Sequence, residues 1–284
     1  MIKNTEKYGP VFIFLAAFLW SLSGIFTKSV EWNGLSLAAL RGTIAFIATA
    51  IMLRKKKITL NRVKILCAVC YFVQGVLFMY ANKYTTAGNA TVLQNMSPLY
   101  IILMDALINK KPPNKDDLLV CALLFIGVGL AFAGNLGGGA ALGNIFAMLS
   151  ALFYAGVYFF SKQEGADSLD SLLIGNGFYL FLLPVMLMNP VVQRTNLHDW
   201  LFLIFFAFLT CFGAWYCFSI GIKSSTALQA SFIALAEPVM APIWTFIFLG
   251  EKISALSLVG FVIVIGTLLI YNVGRAKRIR IFRR

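Results

Sequence analysis

Residues Ser224–Glu251 read SSTALQASFIALAEPVMAPIWTFIFLGE, a stretch long enough to cross a bilayer and almost wholly apolar. Glu237 stands near its middle, with Pro238 directly after it. A charged acid at the centre of a lipid-embedded helix costs about 2.5–3.5 kcal/mol, unless it faces protein or water, is paired, or takes up a proton. Proline removes a backbone donor and frees a carbonyl one turn back. An acid beside a broken hydrogen-bond ladder at mid-membrane depth predicts a polar cavity between helices, and such a cavity points to transport.

The rest of the chain agrees on class. Of its 284 residues, 60% are hydrophobic and 12% charged, where a soluble domain averages about 25% charged. Ten apolar spans are expected: Pro10–Val30, Leu35–Leu53, Val63–Asn82, Ala87–Ile108, Leu118–Gly134, Gly143–Ser161, Ser171–Asn189, Trp200–Gly221, Thr226–Leu249 and Ala255–Val273. The first is too long for a signal-peptide core and lacks a convincing cleavage site, so it is read as retained. A glycine-rich, flexible segment, Asn135–Leu142, separates the two sets of five.

Placing the N-terminus in the cytoplasm puts nineteen of the 24 Lys and Arg inside, four outside, and Arg41 within a span. That asymmetry predicts both termini inside. It also reads the net charge of +13 as a topology signal touching anionic lipid, and no nucleic-acid site is expected. Cys67, Cys70, Cys121, Cys211 and Cys217 all fall in apolar runs and are read as buried small hydrophobes. His198 is the sole histidine, which argues against a histidine-based metal site. With no phosphate-cradling glycine loop, metal cluster or catalytic triad, neither an enzyme nor a cofactor is expected.

The halves resemble each other. Setting Pro98 against Pro238 aligns Thr85–Thr91 with Ser225–Ser231, and the same comparison sets Trp20–Lys28 beside Tyr154–Lys162. Copies of five helices, an odd number, sit upside down relative to each other, an arrangement known from alternating-access transporters. The fold expected is an all-α polytopic membrane protein with ten transmembrane helices in two inverted five-helix repeats. The repeats occupy residues 10–134 and 143–273, and a basic cytoplasmic tail follows at 274–284.

Leu19-Trp20, Leu40-Arg41, Tyr84-Thr85-Thr86-Ala87-Gly88 through Ser97-Pro98, and Glu237-Pro238 followed by Leu249-Gly250-Glu251-Lys252-Ile253-Ser254 together resemble an EamA-type member of the drug/metabolite transporter superfamily. The resemblance covers essentially the whole chain. It implies cytoplasmic termini and secondary transport of small metabolites, often export. Where that family usually has a Gly-Glu pair after the fourth span, this chain has Asn109-Lys110-Lys111-Pro112-Pro113, which argues against a symmetric acidic cap.

Candidate substrate-binding residues are Trp20, Gln94, Asn95, Tyr154, Tyr158, Trp215, Glu237 and Trp244, with Glu237 also the candidate proton carrier. Ala230, Ala234, Glu237, Ala241 and Trp244 recur at helical spacing, a small-residue face that equally suits close helix packing. Gln94 and Asn95 share a face with Thr91, Pro98 and Asp105, where interhelical hydrogen bonding is the alternative. Asp105 reads as a paired or solvated acid; Arg41 suits either an anionic group or a structural pair, and its place near the outer end of its span favours the structural role. Aromatic walls with one acid suit an amino acid, an amine or a drug-like cation. The function expected is a secondary active exporter of such metabolites in a bacterial-type plasma membrane, with a proton as the coupling ion considered. The alternatives are an importer of an organic amine and, further off, a non-transporting scaffold. The expected partners are the small-molecule substrate and anionic lipid at the basic loops and tail, with a homodimer left open.

Overall fold

The computed structural model describes residues 8–23, 31–84, 87–132, 141–249, 255–256, 258–260, 262–267 and 270. The described residues are helical and contain no strand. The helices are α1 (Gly9–Ser21), α2 (Gly34–Leu53), α3 (Arg62–Tyr84), α4 (Ala87–Gln94), α5 (Ser97–Leu107), α6 (Lys115–Phe132) and α7 (Ala141–Phe160). They continue as α8 (Ser168–Tyr179), α9 (Leu183–Leu187), α10 (Pro190–Gln193), α11 (Leu197–Ala207), α12 (Ala214–Gly221), α13 (Ala227–Ala234) and α14 (Ala236–Leu249).

Among the described residues, five stretches are long and apolar enough to cross a membrane: Gly34–Leu53, Arg62–Tyr84, Ala141–Phe160, Ser168–Leu187 and Leu197–Ser224. The last two run through non-α turns, a 3₁₀ turn at Leu180–Leu182 and a π-turn at Phe208–Gly213. Shorter apolar helices, including Gly9–Ser21, Ser97–Leu107 and Ala227–Ala241, complete the bundle. Large apolar side chains such as Ile51, Phe205 and Val262 stay more than half exposed, as expected for surfaces that meet lipid.

Two expected spans are broken. The fourth parts at Asn95–Met96 into α4 and α5, just before Pro98, and the ninth parts at Leu235 into α13 and α14, just before Pro238. Each break lies two or three residues before its proline, whose missing N–H leaves carbonyls one turn back without a helical partner. Of the glycine-rich 135–142 segment, Ala141 and Leu142 are helical and open α7; 135–140 lie outside the described residues. The same holds for 24–30 of the first span, for 250–254, for parts of the tenth span and for the basic tail.

Helix starts are capped by the residues that suit them. Asn33 accepts from the Ser36 N–H at the head of α2, and Asp167 accepts from the Leu169 and Asp170 N–H groups at the head of α8. Thr226 does the same for Gln229 at the head of α13. Each cap contributes about 1 kcal/mol and fixes where its helix begins. The helices pack as α3 along α7 and α8, α2 along α8 and α11, and α1 against α12, α13 and α14. Small residues permit the closest approaches: Gly42 on α2 abuts the Tyr179 ring, where an added Cβ would overlap it. One buried cluster runs through the middle of this bundle, drawing on Trp20, Tyr71, Tyr154, Trp215, Ala230 and Ala234.

Candidate functional site

Four helices converge their rings at that centre. Trp20 of α1 meets Trp215 of α12 edge to face at 4.8 Å, Tyr154 of α7 at 5.9 Å and Phe218 of α12 at 6.0 Å. Tyr71 of α3 closes on Trp215 at 4.6 Å, nearly perpendicular to it. Tyr158, one turn from Tyr154, packs against Phe218 at 5.0 Å and donates to the Tyr154 hydroxyl at 3.1 Å. Helical spacing builds the group: Tyr154 and Tyr158 are four apart on α7, Trp215 and Phe218 three apart on α12, so each pair shares a face. Edge-to-face pairs add about 0.5–1.5 kcal/mol each beyond area burial.

Charge stands beside the rings. Glu237, on the first turn of α14, is 6% exposed, and its carboxylate makes no hydrogen bond among the described residues. It lies close enough to Tyr154, Tyr158 and Arg41 for its charge to act on all three. Arg41 of α2 remains partly accessible, and its Nη1 lies 3.7 Å from the Met79 sulfur. Tyr71, Tyr179 and Cys211, the last carried on the π-turn, border the guanidinium. Arg41 forms no ion pair within 4.0 Å among the described residues. Tyr71 donates to Asn176 Oδ1 at 3.0 Å, while the fully buried Asn176 Nδ2 has no partner among the described residues. Buried polar atoms are normally satisfied, so the Asn176 amide, without a partner among the described residues, marks a place where a polar ligand or water fits.

The other candidates are placed differently. Gln94 donates to Ser150 Oγ at 2.9 Å and to Gln74 Oε1 at 3.2 Å, and Ser150 donates to the Gln74 carbonyl at 2.9 Å, a polar knot joining α3, α4 and α7. Asn95 donates to the Thr91 carbonyl of its own helix at 2.9 Å. Trp244 donates from its indole to Ser21 Oγ at 2.7 Å and stands edge-on to Phe18, tying α14 to α1. Asp105 accepts from Asn109 at 2.7 Å, a paired acid. The cage thus gathers Trp20, Tyr154, Tyr158, Trp215 and Glu237, with Gln94, Asn95 and Trp244 engaged elsewhere.

Sequence reading missed Tyr71, Tyr179 and Asn176, and it favoured a structural role for Arg41 over binding of an anionic group. Each is a polar group inside an apolar span, the signal that could have flagged it, but their convergence is a product of tertiary packing. Among the described residues no three His, Cys, Asp or Glu side chains group as a metal site.

Comparison with known proteins fits this architecture. The family model described as EamA-like transporter family matches twice, over residues 7–133 and again over 141–273. An uncharacterized transporter of Archaeoglobus fulgidus is 26% identical over 270 residues, covering 93% of this chain and 96% of the relative. Another from Clostridium kluyveri is 25% identical, covering 94% of each. Protein PecM of Dickeya dadantii is 25% identical over 69% of this chain and 68% of its own. A solved crystal structure superposes with a TM-score of 0.77 at 17% identity, covering 92% of this chain and 96% of that one, a likeness of fold.

Proposed function

Because the chain belongs to the EamA-like transporter family, we propose that it is a secondary active transporter of small organic metabolites that carry an ammonium group. The observation behind this reading is Glu237, a buried carboxylate with no hydrogen-bond partner among the described residues, near Tyr154 and Tyr158, which pack with Trp20 and Phe218. Ring faces attract a cation, with about 0.5–2 kcal/mol available once water is excluded, and the carboxylate supplies the counter-charge. Arg41 bordering the same group supports amino acids ahead of simple amines, because a guanidinium receives a carboxylate at the other end of a zwitterion.

In this reading Glu237 alternates between substrate ammonium and a proton. The two compete for one acid, so a proton gradient directed inward drives substrate outward. The ten helices work as two inverted five-helix repeats, residues 10–134 and 143–273, that expose the cage to either side in turn. The family model's two matches, one to each half, support that division. The lysine-rich ends and both termini face the cytoplasm of a bacterial-type plasma membrane, with anionic lipid against the basic loops and tail.

Proteoliposomes test the reading. Purified protein preloaded with a panel of unlabelled amino acids, amines, and carboxylates and sugars that lack an ammonium group should support counterflow of the matching labelled compound. Saturable counterflow by an ammonium-bearing compound is expected. Counterflow confined to compounds without an ammonium group, or none across the panel, would overturn it.

A further inference from the structure

A cluster of charges at one end of the bundle has no part in the cage. Lys56, in the turn after α2, donates to Asp167 at 2.7 Å and to Asp170 at 2.6 Å. Lys64, on the first turn of α3, donates to the other Asp170 oxygen at 2.6 Å and to both the carbonyl and hydroxyl of Thr59. Lys64 and Asp170 are 5% and 1% exposed. Asn61 donates to the Gly165 carbonyl at 2.7 Å. The turn after α2 is thereby pinned to the head of α8, joining one family-matched half to the other.

Behind the cluster lies a small, mostly apolar pocket with about 10 Å³ of water-accessible space, edged by three serines. Its lining joins Ser168 and Ser171, next to Asp167 and Asp170 in sequence, with Ser161 and Cys67, with Tyr71 and Trp215 of the cage, and with apolar Val157, Leu172 and Phe218. Lys64, Cys67 and Tyr71 follow one another along a single face of α3, spanning about 10 Å at 1.5 Å per residue. Charges, pocket and cage therefore stand in series.

The opposite end of α2 holds a counterpart. Asn33 and Ser36 lie 134 residues before Asp167 and Asp170, the same offset that separates Trp20 from Tyr154. Asn33 caps α2 as Asp167 caps α8. Asn189, in the turn after α9, donates to Ser36 at 3.1 Å, much as Lys56 donates to Asp170. Trp32 adds an indole bond to Thr195 Oγ1 at 2.7 Å and an edge contact with Trp200 at 4.9 Å. One end is closed by ion pairs, the other by neutral hydrogen bonds and rings.

We propose that Lys56, Lys64, Asp167 and Asp170 form the gate on the lysine-rich side of the translocation route, and that the serine- and cysteine-lined pocket is the passage between that gate and the cage. The proposal rests on the transporter reading. Desolvation offsets most of the attraction in a buried ion pair, so such a contact adds little net stability. A contact with a small net free energy can break and reform as water enters, which is what a gate requires.

Cys67 reports on the passage without any substrate. In inside-out vesicles, an impermeant maleimide is applied and Cys67 modification is followed by peptide mass spectrometry. Lys56→Glu sets a third acid beside Asp167 and Asp170 at a half-exposed position, so it decides the matter if Asp170→Asn fails to fold. At least tenfold faster labelling of Cys67 than in the parent is expected in each folded variant. Parental protection of Cys67 in a Lys56→Glu protein with the parental melting temperature would overturn the gate. Failure of the transport reading shows separately: Cys67 opens in the variants while no compound in the counterflow panel moves in the parent.

Discussion

Trp20 meets Tyr154 edge to face, ring centroids 5.9 Å apart and planes at 75°, across 134 residues of chain and from opposite family-matched halves. The two positions match in the internal comparison of the halves, and both rings end at the centre of the bundle. A ring from each half gives both halves a grip on whatever lies between them.

The first prediction follows from that pair. Replacing Tyr154 with alanine should weaken binding of a transported cation by about 0.5–2 kcal/mol, since a ring face is lost. Tyr154→Phe keeps the face and gives up only the hydroxyl that accepts from Tyr158, so its loss should be smaller. Calorimetric titration of folded variants checks the order; equal affinities for parent, Phe and Ala would remove Tyr154 from the binding surface.

The second concerns pH. Burial opposes ionisation of Asp167, but the bond from Lys56 and those from the Asp170 and Leu169 N–H groups outweigh it and hold the carboxyl below its ordinary 3.8. Burial likewise opposes the charge on Lys56, and the bonds to Asp167 and Asp170 outweigh it and raise the ammonium above 10.5. A depressed carboxyl contributes above its unfolded value and is lost as pH falls through its folded one; a raised ammonium contributes below its unfolded value and is lost as pH rises through its folded one. The Lys56–Asp167 pair is therefore intact between 3.8 and 10.5. Any change in transport between about pH 5 and 8 comes from another group. Asp167→Asn should shift the rate while leaving the shape of the pH profile as in the parent, and a profile that flattens in this variant would contradict the assignment.

The third concerns orientation. Lys57 is exposed in the turn after α2 and Gln193 is exposed on α10, at opposite ends of α2. Cysteines introduced at each, with native thiols blocked, should react differently in intact cells: Gln193→Cys with an impermeant reagent, Lys57→Cys only after permeabilisation. The reverse pattern would invert the topology.

Much of this arrangement was legible in the chain because lipid restricts what a spanning segment can be. The apolar runs forecast membrane-crossing helices, and Pro238 marked the ninth span as one that breaks, whereas Pro98 entered chiefly through the comparison of the halves. The equivalence of Trp20 and Tyr154 followed from self-comparison, and their ring contact from packing. Arg41 was read by its distance from a helix end, which carries no information about the Tyr71 and Tyr179 neighbours that packing gives it. Gln94 and Trp244 lay on plausible faces, yet Ser150 and Ser21 claim their donors, and short hydroxyl side chains leave little trace in an apolar pattern. Lys56 and Lys64 registered only as loop charge, because Asp167 and Asp170 lie more than 100 residues away in sequence.

The central claim is that Glu237 carries the coupling proton. Glu237→Gln keeps the shape and hydrogen-bonding capacity of the side chain but cannot titrate. Proteoliposomes holding parent or variant are given an imposed pH gradient, and accumulation of the labelled substrate is followed beside gradient-free exchange. The account predicts that the glutamine variant still exchanges substrate but no longer responds to the gradient. Gradient-driven accumulation at the parental level in Glu237→Gln would contradict it.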